Sequence, residues 1–151
     1  MKRTIMFGMI GIAILAILFI SGCAVTGNAV VDTEADAEEY VKIPLSEVTD
    51  EVKFYSYAAG SVNINYFAVL GTDGEVRTAF DACDVCGGHL GYTQNGNDIT
   101  CDKCGRVFSI DGLGTKNKGY GCWPSYLPHE VQGDEVLIKV SDITDGRERF
   151  V

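Results

Sequence analysis

Phe80-Asp81-Ala82-Cys83-Asp84-Val85-Cys86-Gly87 and, with fourteen residues between Cys86 and Cys101, Cys101-Asp102-Lys103-Cys104-Gly105-Arg106 decide how the rest of the chain is read. Two residues between cysteines let one tight turn aim both sulfurs at a single point, while N–H groups inside the turn donate to the thiolates. Glycine directly after the second cysteine, here Gly87 and Gly105, permits the positive φ that closes such a knuckle. Two knuckles at the tips of neighbouring hairpins supply four thiolates in a tetrahedron, the arrangement preferred by zinc and by iron–sulfur centres. Cys83, Cys86, Cys101 and Cys104 are therefore the candidate metal ligands.

Working outward, residues 41–151 read as short strands joined by tight turns. Val52–Tyr57 and Val62–Leu70 are rich in aromatic and β-branched residues and flank Ala59-Gly60-Ser61. After the turn Gly71-Thr72-Asp73-Gly74, Glu75–Ala82 alternates, with Val76, Thr78, Phe80 and Ala82 on one face and Glu75, Arg77 and Asp81 on the other, the pattern of a half-buried strand. Asn95-Gly96-Asn97-Asp98 predicts a hairpin between Gly91–Gln94 and Ile99-Thr100. Val107–Ile110 predicts a further short strand, the glycine-rich stretch Asp111–Gly121 a loop, and Glu135–Val140 a closing strand; only Leu45–Glu51 offers a helical turn. The expectation is an all-β domain, a small barrel or sandwich.

Composition narrows the function. At 46% hydrophobic and 22% charged residues, the 151-residue chain is too apolar for a disordered polymer. A net charge of −9 argues against a nucleic-acid partner. Residues 41–151 carry 10 basic and 16 acidic side chains, which favours a basic or cationic partner over an anionic one. No Ser/His/Asp set, paired carboxylates or phosphate-cradling glycine loop is present, so stand-alone catalysis is not indicated.

Lys2 and Arg3 precede the apolar run Ile5–Ile20, and Ile20-Ser21-Gly22-Cys23 resembles the lipobox of bacterial-type lipoproteins, with Cys23 as the lipidated residue. The alternative is an uncleaved signal anchor, since no charge falls between Thr4 and Val31. Both readings leave the basic end in the cytoplasm and the rest outside. Residues 1–23 are thus a lipoprotein signal or membrane anchor, 24–40 a flexible acidic tether, and 41–151 the metal-binding β domain.

The folded part contains a fifth cysteine, Cys122, in Gly121-Cys122-Trp123-Pro124. An odd total argues against complete disulfide pairing, although the outside location permits disulfides. Zinc as a purely structural ion and iron as a functional one both remain open, and the spacing does not choose between them.

The order of parts resembles a Rieske domain. Cys83 closes a strand and opens a first ligand loop, and Cys104-Gly105-Arg106-Val107-Phe108-Ser109 resembles the second ligand loop running into its strand. Gly121-Cys122-Trp123-Pro124 resembles the proline loop that covers a Rieske cluster. The chain departs from that pattern where Cys86 and Cys104 take the places of the two histidines; all-thiolate ligation adds negative charge and lowers the potential of an iron–sulfur centre. Over nearly all of 41–151 the chain is more similar to membrane iron–sulfur proteins like the FtrD component of ferrous-iron uptake systems. The shared residues are Ile43-Pro44-Leu45, Phe80 to Gly87, Gly91-Tyr92, Cys101 to Gly105, and Gly121 to Pro124 with Leu127. That resemblance implies an extracytoplasmic iron–sulfur or redox metal protein working beside a membrane iron permease or redox partner.

The expected function is electron transfer or metal relay at the cell envelope, with an iron–sulfur cluster, or alternatively mononuclear iron or zinc, as cofactor. A structural zinc-binding interaction module and a thiol–disulfide redox protein are the competing readings. Cys122 could be an additional ligand, a resolving thiol or a small buried residue. His89 and His129 read as surface imidazoles. Trp123, Tyr92 and Phe108 could screen the centre from water or simply pack the core. Asp84 and Asp102 occupy matching knuckle positions, facing a cationic partner or solvent.

Overall fold

The computed structural model describes residues 38–86, 90–119 and 121–151. The lipobox-like segment with Cys23 and the tether up to residue 37 lie outside the described residues, as do Gly87, His89 and Tyr120. Among the described residues no helix is long and apolar enough to cross a membrane.

Among the described residues ten strands make three antiparallel sheets. The first is ordered β1 (Tyr40–Pro44), β10 (Glu135–Lys139), β9 (Glu130–Gln132). The second runs β2 (Lys53–Ala59), β3 (Val62–Leu70), β4 (Val76–Cys83), β8 (Pro124–Tyr126), and the third β5 (Tyr92–Asn95), β6 (Asp98–Cys101), β7 (Val107–Ser109). The chain is mostly sheet, as expected from its short β-branched runs. A single turn of 3-10 helix covers Leu45–Glu47 where a helical turn was expected, and a short helix α1 (Val140–Asp145) follows β10.

The central strands β3 and β4 of the second sheet are buried on both faces, and β3 shows why. Ile64, Tyr66 and Ala68 point into one core with Phe80, Ala82, Leu127, Val136 and Ile138; the alternate residues Phe67 and Val69 point into another with Ala79, Tyr92, Ile99 and Phe108. A strand between two cores reads as a nearly continuous apolar run. The half-buried pattern expected for Glu75–Ala82 is therefore corrected: Ala79 and Cys83, on the face opposite Phe80 and Ala82, are buried too. The second core also contains Cys83 and Cys101, so the sulfur residues are rooted in packed strands.

Three polar contacts hold the third sheet against the second. The Asp81 carboxylate accepts from the Tyr92 amide at 2.9 Å. Asp111 accepts from the amide and hydroxyl of Thr72 at 2.8 and 2.6 Å. Gln94 accepts from the Val52 amide at 2.6 Å and donates to the Asp50 carbonyl at 2.7 Å. Gly91 stands at φ +86°, and a Cβ there would lie 2.8 Å from an Asp81 oxygen, so glycine is required for the hairpin to start so close to β4.

Candidate metal centre

Each sulfur arrives from a defined place. Cys83 is the last residue of β4, and Cys86 lies in the turn that follows; Cys101 ends β6, and Cys104 lies in the turn before β7. In the second knuckle the Gly105 amide donates to the Cys101 carbonyl at 2.8 Å, and Gly105 takes φ +71°, as its position after the cysteine pair anticipated. The first knuckle is tied to the Cys122 loop: Cys83 pairs with Pro124 across β4 and β8, and the Asp84 amide donates to the Trp123 carbonyl at 3.0 Å. Asp84 is also held by its side chain, accepting from Ser125 Oγ at 2.6 Å, so this aspartate has a structural role in the knuckle.

The five sulfurs converge. Those of Cys83, Cys86 and Cys122 lie within 4.8 Å of one another, as do those of Cys86, Cys101 and Cys104. Cys86 Sγ stands 3.2 Å from Cys122 Sγ, and Cys104 Sγ 3.6 Å from it. All five are free thiols. Cys83 and Cys101 are buried, Cys86 and Cys122 half-buried, and Cys104 exposed. Burial opposes ionisation of Cys83, but the amides of Val85, Cys86 and Trp123 outweigh it and bring its pKa down to about 7. Donation from the Arg106 amide lowers that of Cys104. The sulfurs of Cys122, Cys104 and Cys83 push Cys86 well above the usual thiol range. Donation from Cys86 favours the Cys122 thiolate, but Cys104, burial and the charge of Cys83 prevail and raise its pKa. A thiophilic cation would reverse this balance by stabilising several thiolates at once.

Tyr92 supplies a further observation. It is 5% exposed, and its hydroxyl is buried without a hydrogen-bond partner. Burial, followed by the charges of Cys83 and Cys101, holds its pKa far above the usual phenol range. An unsatisfied buried hydroxyl costs about 1–3 kcal/mol, and a group bound among the sulfurs would give this one an acceptor. Around it Phe67, Tyr92, Phe108 and Trp123 stack edge to face at 6.1, 6.3 and 5.8 Å, forming an aromatic wall on the buried side.

Soft thiolates in this number fit iron, zinc or an iron–sulfur centre. Metal–sulfur bonds of about 2.3 Å place tetrahedral ligand sulfurs about 3.8 Å apart. The 3.2 and 3.6 Å separations involving Cys122 are close to that spacing, which a single ion and one iron of a two-iron cluster share.

Among the residues read as surface, His129 is half-buried instead, with Nδ1 2.9 Å from Thr78 Oγ1, because Leu127 and β4 enclose it. Lys103 was given no role by the spacing, yet it donates to the Cys86 carbonyl at 2.6 Å. Asp81, expected on the second face of its strand and within the stretch shared with the resembled family, positions Tyr92 through its amide.

Neither the curated proteins nor the solved structures include a significant match to this chain. The family model described as "Membrane iron-sulfur containing protein FtrD-like" matches residues 48–150, a span that takes in all five sulfurs of the site, and the chain belongs to that family.

Proposed function

We propose that this protein is an electron carrier or metal relay tethered to the outer face of a membrane. In this reading Cys83, Cys86, Cys101 and Cys104 hold an iron–sulfur group, and Cys122 covers one side in the manner of the Rieske proline loop. The observation that carries it is the position of Cys86, whose sulfur lies within 4.8 Å of sulfurs from its own knuckle, from the second knuckle and from the Cys122 loop. Membership of a family described as iron–sulfur containing supports iron over zinc. Iron held here would supply one-electron chemistry. The chain's part is to keep the sulfurs in near-fixed positions through the β4 and β6 termini, to exclude water with the aromatic wall, and to donate amide hydrogen bonds to Cys83 and Cys104. The basic and apolar start of the chain, ending at Cys23, supports an outside location through lipidation or an anchor helix. A membrane iron permease or redox protein is the expected partner.

The two groups of three sulfurs, each within 4.8 Å, equally suit a second reading, in which one zinc or iron ion is bound and, if zinc, only locks the fold. Purification without oxygen, followed by metal and sulfide analysis and visible spectroscopy, separates them. Iron with absorption that bleaches on adding dithionite is expected. A colourless protein containing zinc overturns the carrier reading. Alkylation of all five thiols without a chelator overturns both in favour of thiol–disulfide chemistry.

A further inference from the structure

A cleft of about 590 Å³ opens beside the sulfur cluster, between β7 with the preceding Arg106 and the loop that follows the 3-10 turn at Ile110–Gly112. Its volume is that of a small-molecule site. Cys122 and Trp123 form one wall and Phe108 another, while Arg106, Lys116 and Lys118 supply the charge; among the described residues no acidic one lines it. In a chain with a net charge of −9 this is a local reversal of sign. Lys42, Lys53, Arg77, Lys139 and Arg149 each pair with a carboxylate, whereas the three cleft cations form no ion pair among the described residues. Their charge is available to a ligand.

The cleft is also braced. Trp123 Nε1 donates to the Thr115 carbonyl at 3.0 Å, which fixes the start of the segment bearing both lysines. Asn117, between those lysines, donates to the Gly121 carbonyl at 2.9 Å and accepts from the Gly119 amide at 3.0 Å. The Arg106 guanidinium lies against Gly121, where a Cβ would approach it to 2.9 Å. Trp123 and Phe108 meet edge to face, and both line the cleft beside these cations.

We propose that this cleft binds a small aromatic anion, its ring against Trp123 and Phe108 and its acidic group among Arg106, Lys116 and Lys118. Cys122 both lines the cleft and stands 3.2 Å from the Cys86 sulfur, so the ligand would lie against the sulfur cluster. Binding itself requires only the cleft and goes beyond the carrier reading.

Trp123 is the single tryptophan of the chain, so its fluorescence reports the cleft directly. Anthraquinone-2-sulfonate titrated into the full chain in detergent is expected to quench it saturably. Uncharged 2-methylanthraquinone is expected to bind about tenfold more weakly, and the K116E/K118E variant to bind the sulfonate about tenfold more weakly than the parent chain. Reversing Arg147, outside the cleft, should leave the affinity unchanged. Both lysines are exposed, so the double variant should fold, and circular dichroism checks this. Absence of saturable quenching, equal affinity for the two quinones, or indifference to the lysine reversal overturns the proposal. Colourless zinc-containing protein that still binds the sulfonate would overturn the carrier reading and leave the cleft standing; iron protein without quenching would do the opposite.

Discussion

The ammonium of Lys103, in the second knuckle, donates to the main-chain carbonyl of Cys86, in the first, at 2.6 Å. This bond crosses from one knuckle to the other, and it orients the turn that presents the most central of the sulfurs. Groups that orient ligands typically contribute 10–100-fold to metal affinity. Lys103→Ala is therefore expected to weaken metal retention by about tenfold in competition with a chelator, with little change in the far-ultraviolet spectrum of the metal-free protein. Retention equal to that of the parent chain would show that the sulfurs alone set the geometry.

Tyr92 leads to a prediction with opposite signs in two states. Without metal its hydroxyl is buried and unsatisfied, so Tyr92→Phe should stabilise the metal-free protein by about 1–3 kcal/mol in urea unfolding. In the loaded protein the hydroxyl would donate to a thiolate, and the same substitution should bring no such gain. If the bound group is redox active, losing a donor worth about 1 kcal/mol should lower its potential by about 40 mV. An identical stability change in both states would place the hydroxyl away from the bound group.

The parts of this architecture that were legible in the sequence are those encoded locally. β3 was readable to the residue because Val62–Leu70 is rich in β-branched and aromatic residues, and the turn of the second knuckle was readable because the cysteine spacing and Gly105 act within a few residues. β1 was not: Tyr40–Pro44 follows an acidic stretch and becomes a strand by pairing Tyr40 with Lys139 and Ile43 with Val136, far along the chain. α1 was missed for a related reason. Val140, Ile143 and Thr144 are β-branched and no side chain caps the start, so the helix owes its existence to the burial of Ile143. The convergence of Cys122 on Cys86 depends on β4 pairing with β8, a long-range register that a short Gly-Cys-Trp-Pro motif only hints at.

His129 should give the domain a specific acid sensitivity. Burial, and then the nearby charge of Arg77, lower its pKa below the ordinary 6.5. The unfolded chain therefore takes up a proton near pH 6.5 that the folded chain refuses. The His129 contribution to stability is constant above that pH, falls as pH drops from 6.5 towards the lowered native value, and levels off below it. Asp73 and Asp111, held below the ordinary 3.8 by Arg77 and Thr72 respectively, act only at still lower pH. Urea midpoints of the parent chain and His129→Gln, compared between pH 7.5 and 5, isolate this effect: the parent should lose stability relative to the variant as pH falls below 6.5.

Two glycines separate fold from site. Gly146 has ordinary helical φ, but a Cβ would run into the Phe80 ring in the first core, so Gly146→Ala should cost about 1–3 kcal/mol through overpacking while metal content stays intact. Gly91→Ala meets both a positive φ and the Asp81 carboxylate that holds the Tyr92 amide. It should lose about 1–2 kcal/mol from the backbone alone and, unlike the first variant, release metal faster to a chelator. Equal metal release from the two variants would mean that the Asp81–Tyr92 contact does not position the sulfurs.

Serine substitutions rank the sulfurs. Cys86 is common to both close groups, so Cys86→Ser removes the atom through which the first knuckle meets the second and the Cys122 loop. Its metal content should fall close to zero. Cys122→Ser leaves the two knuckles with four thiolates, enough for a tetrahedral site, and should retain nearly full metal. The retained metal should then be more open to chelators, because Cys122 lies 3.2 and 3.6 Å from Cys86 and Cys104 and covers them from the cleft side. Metal analysis of both variants, purified without oxygen, checks the order. If Cys122→Ser is empty while Cys104→Ser is full, Cys122 is a ligand and the exposed Cys104 is the dispensable sulfur.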